Sequence, residues 1–217
     1  MNQFRRLIVV NIVTLLVLVG GGFLGYYYYN QAQNYLTTDN AKIDGKAIPV
    51  ASPASGKLVE WTASTGNAYN AGDKVGSVLT SNGTTTQQID ITVPAKSTIV
   101  QSSATENTFI GAGSPLAYAY DMNNMYVTAN IKETDIDDVK KGQDVDVYVD
   151  AFPNTTLTGT VEQVGLTTAN TFSLLPSGST TANYTKVAQV IPVKIALDHT
   201  KSVNIEPGMN VSVRIHK

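Results

Sequence analysis

The chain has 217 residues, a formal net charge of −2 at pH 7, 42% hydrophobic and 15% charged residues, and no cysteine. This length allows one or two domains. The composition excludes disulfides, thiolate metal sites and cysteine nucleophiles, and argues against a nucleic-acid partner, which would require clustered Lys and Arg to neutralise phosphates.

Residues 1–6 are a short tail ending in Arg5 and Arg6, and from Leu7 to Leu24 only Asn11 and Thr14 interrupt an apolar run. At about 1.5 Å per residue, a helix over residues 7–29 crosses a hydrocarbon core of about 30 Å. The two arginines place the N-terminus in the cytoplasm, and Tyr26 to Tyr29 form an aromatic belt at the outer interface. The rest of the chain is then extracytoplasmic. A cleaved signal peptide would have a shorter apolar region ending in small residues. Asn11 is a candidate contact with another membrane helix, since polar side chains at that depth tend to face protein. Residues 30–46 read as a linker.

The next segment repeats itself. Shifted by 41 residues, Pro53–Leu79 overlies Pro94–Tyr120 without a gap: Pro53 meets Pro94, Leu58 meets Ile99, Ala63 meets Ala104, and Ala71-Gly72 meets Ala112-Gly113. An internal duplication is the simplest cause. Each copy reads as short strands separated by turns, entered at Val50 and Ile91, centred on Leu58-Val59 and Ile99-Val100, and resumed at Val75 and Leu116. Gly56, Gly66, Gly72 and Gly113 are expected as turn residues, because glycine reaches positive φ without a Cβ clash. A phosphate-binding glycine loop would lead from a strand into a helix, and no helical period follows either copy.

After residue 121 the alternation continues. Val145, Val147 and Val149 share one face of DVDVYVD; Ile191, Val193, Ile195 and Leu197 share another, as do Met209, Val211, Val213 and Ile215. Gly142 and Gly208 punctuate turns. One helix is expected from Asp135 to Lys141, capped by Thr134 with Asp137 at its third position and closed by Gly142. The acids around it lack the spacing of a calcium loop.

Two interlocking half-motifs of this kind resemble the biotinyl/lipoyl domain, a flattened β-sandwich. Carriers of that fold present an acylated lysine in the hairpin between the halves, whereas here TSNGTTTQQ, Thr80 to Gln88, has none. The chain also resembles membrane fusion proteins, the periplasmic adaptor subunits of the HlyD/EmrA type. Met125–Gly165 is similar to their β-barrel segment, and the stretches FSLLPSGSTTANYTKVAQVIPVKIALD and EPGMNVSVRI are similar to the EmrA branch. The long α-helical hairpin that many such adaptors insert between the lipoyl halves has no room in Thr80–Gln88. A compact form, suited to a cell with one membrane, is implied.

The expected fold is therefore mainly β: a transmembrane helix at 7–29, a lipoyl-like sandwich at 47–121 and a β-barrel adaptor domain at 122–217. The sandwich halves are 47–79 and 90–121, joined by a short connector at 80–89. The resemblance implies a homo-oligomeric adaptor for a polytopic membrane transporter, of the major facilitator type in preference to an ABC transporter, with no cofactor, metal or catalysis. His199 and His216 are too few for a histidine zinc site, and no serine stands in a nucleophile motif. The competing reading is a free-standing, membrane-anchored envelope or cell-wall binding module.

Within the barrel, residues 165–186 form a long connection without periodicity. Its apolar island, Phe172, Leu174 and Leu175, either contacts a partner or seals the barrel end. Trp61 is either core or sandwich edge.

Overall fold

Strand-length alternation carries the chain after its first 34 residues. The computed structural model describes residues 3–83, 85–168, 189–198 and 204–217. Helix α1 (Gln3–Asn34) passes directly into strand β1 (Tyr35–Asp44). Then come β2 (Ala47–Ala51), β3 (Gly56–Trp61), β4 (Ala68–Tyr69), β5 (Lys74–Asn82), β6 (Thr85–Thr92), β7 (Ser97–Ser102), β8 (Phe109–Ile110) and β9 (Pro115–Tyr120). The last five strands are β10 (Tyr126–Lys132), β11 (Asp144–Val149), β12 (Thr156–Val164), β13 (Val190–Leu197) and β14 (Asn210–His216).

Two four-stranded sheets, ordered β2-β9-β7-β4 and β6-β5-β3-β8, make the sandwich. Each sheet takes its two central strands from one half of the repeat and its two edges from the other. The hydrogen bonds obey the same exchange. Gly72 donates to the carbonyl of Val93, and its counterpart Gly113 donates to Ser52, both at 2.8 Å. Gly66 donates to Ile99 at 2.8 Å, and Asn107 donates to Leu58 at 2.7 Å. Gly66 has φ of 89°, and Asn107, at the equivalent point, has φ of 66°, a conformation that asparagine tolerates better than most residues. Val50, Leu58, Val75, Val78, Ile91 and Ile99 are fully buried between the sheets. Trp61 packs partly buried against this core, and its indole N–H donates to Ser102, its own repeat counterpart, at 2.8 Å.

Gly72 and Gly113 have φ of 88° and 78°, and an added Cβ at either would meet nothing within 4 Å. The cost of a side chain there is backbone strain alone, about 1–3 kcal/mol. Gly72→Val and Gly113→Val are therefore expected to lower stability to similar extents, as measured by thermal unfolding of each variant. Gly142 and Gly208 occupy the same region, at 91° and 93°. Gly56 does not belong with these turn glycines. It begins β3, and a Cβ there would lie 2.2 Å from the carbonyl oxygen of Leu79 in the neighbouring strand. Close approach of two backbones, not a turn, requires that glycine.

The barrel is closed and six-stranded, in the order β1-β10-β13-β12-β11-β14, with every pairing antiparallel. Ile43, Val127, Val147, Val193, Ile195, Val213 and Ile215 fill it. Its first strand comes from residues 35–44, which corrects the reading of 30–46 as a linker. Ala41 and Ile43 point inward, but the register shifts between Thr38 and Ala41, and that bulge breaks the alternation that would have revealed a strand. The sandwich is consequently an insertion between two neighbouring barrel strands, β1 and β10.

The expected helix at 135–141 is a six-residue 3₁₀ turn, Glu133–Asp138, with no side-chain cap at its N-terminus. Thr134 donates to Asp135 instead of capping the turn. Gln143 closes the far end, accepting from the Lys140 amide at 2.7 Å and donating to the Asp138 carbonyl at 3.0 Å. Two tight turns suffice to bring Ile136 onto the barrel core before β11 begins.

Candidate functional site

Among the described residues no group of three His, Asp or Glu side chains is placed to hold a metal. The features that bear on function are a helix, a junction, a hairpin and a cleft.

Within α1, Asn11–Gln31 is long and apolar enough to cross a bilayer and buries none of itself against the described chain. The carboxamide of Asn11 is exposed near the start of this span.

The junction between α1 and the barrel is built from strand ends. Register places Tyr35 opposite His216 and Arg214 opposite both Thr37 and Asp146. The Lys217 amide donates to the carbonyl of Asn34, the last helical residue, at 2.9 Å. Arg214 donates from Nε at 3.0 Å and from Nη2 at 2.7 Å to one carboxylate oxygen of Asp146, and His216 Nε2 lies 3.0 Å from the same oxygen. The guanidinium stacks 4.8 Å above the Tyr35 ring and 5.6 Å from that of Tyr148. The His216 ring meets Tyr35 edge-on at 4.9 Å. Lys217 Nζ reaches Asp138 at 2.7 Å. Strand ends that would otherwise fray are thus tied together where the helix leaves.

Burial opposes ionisation of Asp146, but the hydrogen bonds from Arg214 and His216 outweigh it and hold the carboxyl below its usual range. A depressed carboxyl stabilises the fold fully above the ordinary carboxylate range, and that contribution is lost as pH falls through the lower folded value. Asp146→Asn should therefore reduce the melting temperature at pH 7, with the difference from the parent narrowing below about pH 4. Thermal melts of both proteins across that range measure it.

Within the sandwich β5 and β6 pair through Asn82 and Thr85, so a β-hairpin with Gly83 at its tip joins the two halves. Between sandwich and barrel lies an open cleft of about 1080 Å³. Lys42, Asp44, Gln101, Tyr120 and Glu206 are among its lining residues.

The candidate residues named from the sequence do not converge on one site. Phe172, Leu174 and Leu175 lie outside the described residues, as does His199. Their connection leaves the barrel at the end where α1 enters: Gly165 donates to Pro192, and Gln189 accepts from Glu133. Asn11 is far along the helix from the barrel, and the turn glycines are spread over both domains. The junction cluster of Tyr35, Asp146 and Arg214 is not among the residues named from the sequence. A usable signal existed, since Arg214 and His216 alternate with buried Val213 and Ile215 and so share the outer face of β14.

The profile of a YknX-like beta-barrel domain matches residues 125–215, which is the barrel without β1. The chain is 42% identical over 210 residues to YhbJ of Bacillus subtilis, named as a candidate efflux system component, covering 97% of this chain and 92% of that protein. It is 42% identical over 94 residues to the colistin resistance protein EmrA of Acinetobacter baumannii, spanning 43% of this chain and only 27% of that protein. The solved structure of the membrane fusion protein Spr0693 of Streptococcus pneumoniae R6 superposes with a TM-score of 0.60 at 12% identity, over 84% of this chain and 98% of that one. With a near full-length relative and both β-domains in place, the chain belongs to the HlyD/EmrA-type family of membrane fusion proteins.

Proposed function

We propose that the protein is the membrane-anchored adaptor subunit of a small-molecule or multidrug export system, with its N-terminus cytoplasmic and both β-domains outside. The observation that carries this reading is the direct passage of an apolar spanning helix into a closed barrel. Such a chain positions domains at a membrane. The relatives named for efflux and colistin resistance support the same reading.

In this reading α1 pairs with helices of a polytopic transporter, with Asn11 as one contact. The barrel and sandwich oligomerise around the transporter's exit and guide substrate outward. The similarity to the EmrA branch favours a major facilitator transporter over an ABC transporter. The β5–β6 hairpin, only a few residues beyond the sandwich, suits a cell envelope in which no outer-membrane channel has to be reached.

Deletion of the gene should abolish efflux of the exporter's substrates, and the full-length chain should restore it. The combined variant Leu174→Asp, Leu175→Asp should fail to restore efflux while keeping the parent's melting temperature, as expected of a partner contact. A lowered melting temperature would assign the island to sealing the barrel.

A further inference from the structure

We propose that the barrel end from which α1 emerges rests in the lipid headgroup layer, with Leu166 inserted as an apolar contact. The proposal deepens the adaptor reading and rests on α1 being a membrane span.

Three features of the fold support it. The first is distance. With the hydrocarbon core crossed by residues 7–29 and the Tyr26–Tyr29 belt at its outer edge, and with β1 beginning at Tyr35, five helical residues separate the core from the barrel. At about 1.5 Å each they extend about 7–8 Å, comparable with the headgroup layer of one leaflet, which is about 5–8 Å thick. The second is attachment. The Lys217 amide on Asn34, and Tyr35 packed between Arg214 and His216, hold the barrel directly at the helix end. A linker that could lift the barrel clear is missing from the described chain.

The third is what this end displays. β12 ends at Val164, and Gly165 still donates to Pro192 at 2.8 Å, which fixes where the chain leaves the barrel. The next residue, Leu166, is 97% exposed. A fully exposed leucine beside the polar Thr167 and Thr168 has no protein surface to cover among the described residues. An amphipathic surface of this kind gains by placing its apolar residue about 5–10 Å into the headgroup and acyl boundary. The charges nearby nearly balance: Lys132, Lys140, Lys141 and Lys217 stand beside Glu133, Asp135, Asp137 and Asp138. Attraction to anionic lipid is therefore not needed, and a neutral lipid surface is the expected partner.

The chain has no cysteine, so single labels are simple to place. The full-length protein would be reconstituted in phosphatidylcholine nanodiscs with an environment-sensitive fluorophore at Leu166→Cys, Phe109→Cys or Leu16→Cys. Phe109 is also strongly exposed but belongs to the sandwich, so it controls for the dye's own affinity for lipid. Lipids brominated near the top of the acyl chain are expected to cut emission at position 166 about twofold, equally at low and high salt, and to leave position 109 unchanged. Emission at 166 as insensitive as at 109, with position 16 quenched by lipids brominated at the chain end, would overturn the docking while keeping the anchor. An unquenched label at position 16 would overturn the anchor and this proposal with it.

Discussion

Leu58→Ala is expected to destabilise the sandwich by about 2–5 kcal/mol, the range for truncating a fully buried leucine in a core that relaxes incompletely. Leu58 lies at the centre of β3 with none of its surface exposed, facing a core that also holds Val50, Val78, Ile91 and Ile99. The barrel has its own core, which shares no residue with that of the sandwich. The sandwich transition should therefore move down in temperature while the barrel transition stays in place. Calorimetry of the full-length protein in detergent, with Ile195→Ala as the reciprocal barrel variant, resolves the two. A single transition moving as a whole would mean that the insertion of the sandwich between β1 and β10 couples the two domains into one cooperative unit.

The second large effect is Gly56→Ala. Unlike Gly72 or Gly113, this residue has no room, because its new methyl group would lie 2.2 Å from the Leu79 carbonyl oxygen and 3.0 Å from a methyl of Val78. The nearest obstacle is backbone, held in register by the pairing of β3 with β5, so it cannot rotate away as a side chain can. Destabilisation of about 3 kcal/mol, the upper end of ordinary overpacking, is expected. The counterpart of Gly56 in the second half is Ser97, whose hydroxyl donates to Ala95. Its tolerance of a side chain shows that the close approach belongs to one half only. Chemical denaturation of Gly56→Ala beside Gly72→Val separates steric overlap from φ strain. Equal losses would contradict the distinction drawn between them.

Much of the fold was legible because two periodicities are written plainly in the chain. The repeat survives as matched apolar residues and glycines, and a strand burying one face leaves alternate positions apolar, as in Val145, Val147 and Val149. The features that escaped share a physical cause. β1 is polar at most positions and bulged, so only Ala41 and Ile43 signal its inward face. The 3₁₀ turn is capped by Gln143 from beyond its end, which no local capping pattern reveals. Gly56 looks like any turn glycine until the strand it crosses is known.

The candidate site was less legible still. Asp146 and Arg214 are 68 residues apart, and nothing local tells that β11 and β14 lie side by side. β14 pairs with β11 on one side and with β1 on the other. A reading that makes residues 30–46 a linker loses the barrel's first strand and, with it, the Tyr35 that packs against Arg214 and His216. Family resemblance carries the architecture where local pattern is silent, and the direct step from helix to strand at Asn34-Tyr35 leaves no local signature in the sequence.

The most direct test of the adaptor account is affinity purification of the full-length chain from native membranes under gentle solubilisation, with mass spectrometry of the proteins retained. Recovery of a polytopic exporter in near-stoichiometric amount, lost when α1 is replaced by an unrelated spanning helix, is the result the account predicts. Repeated recovery of the chain alone, under conditions that keep other membrane complexes intact, would contradict it and favour a free-standing envelope module.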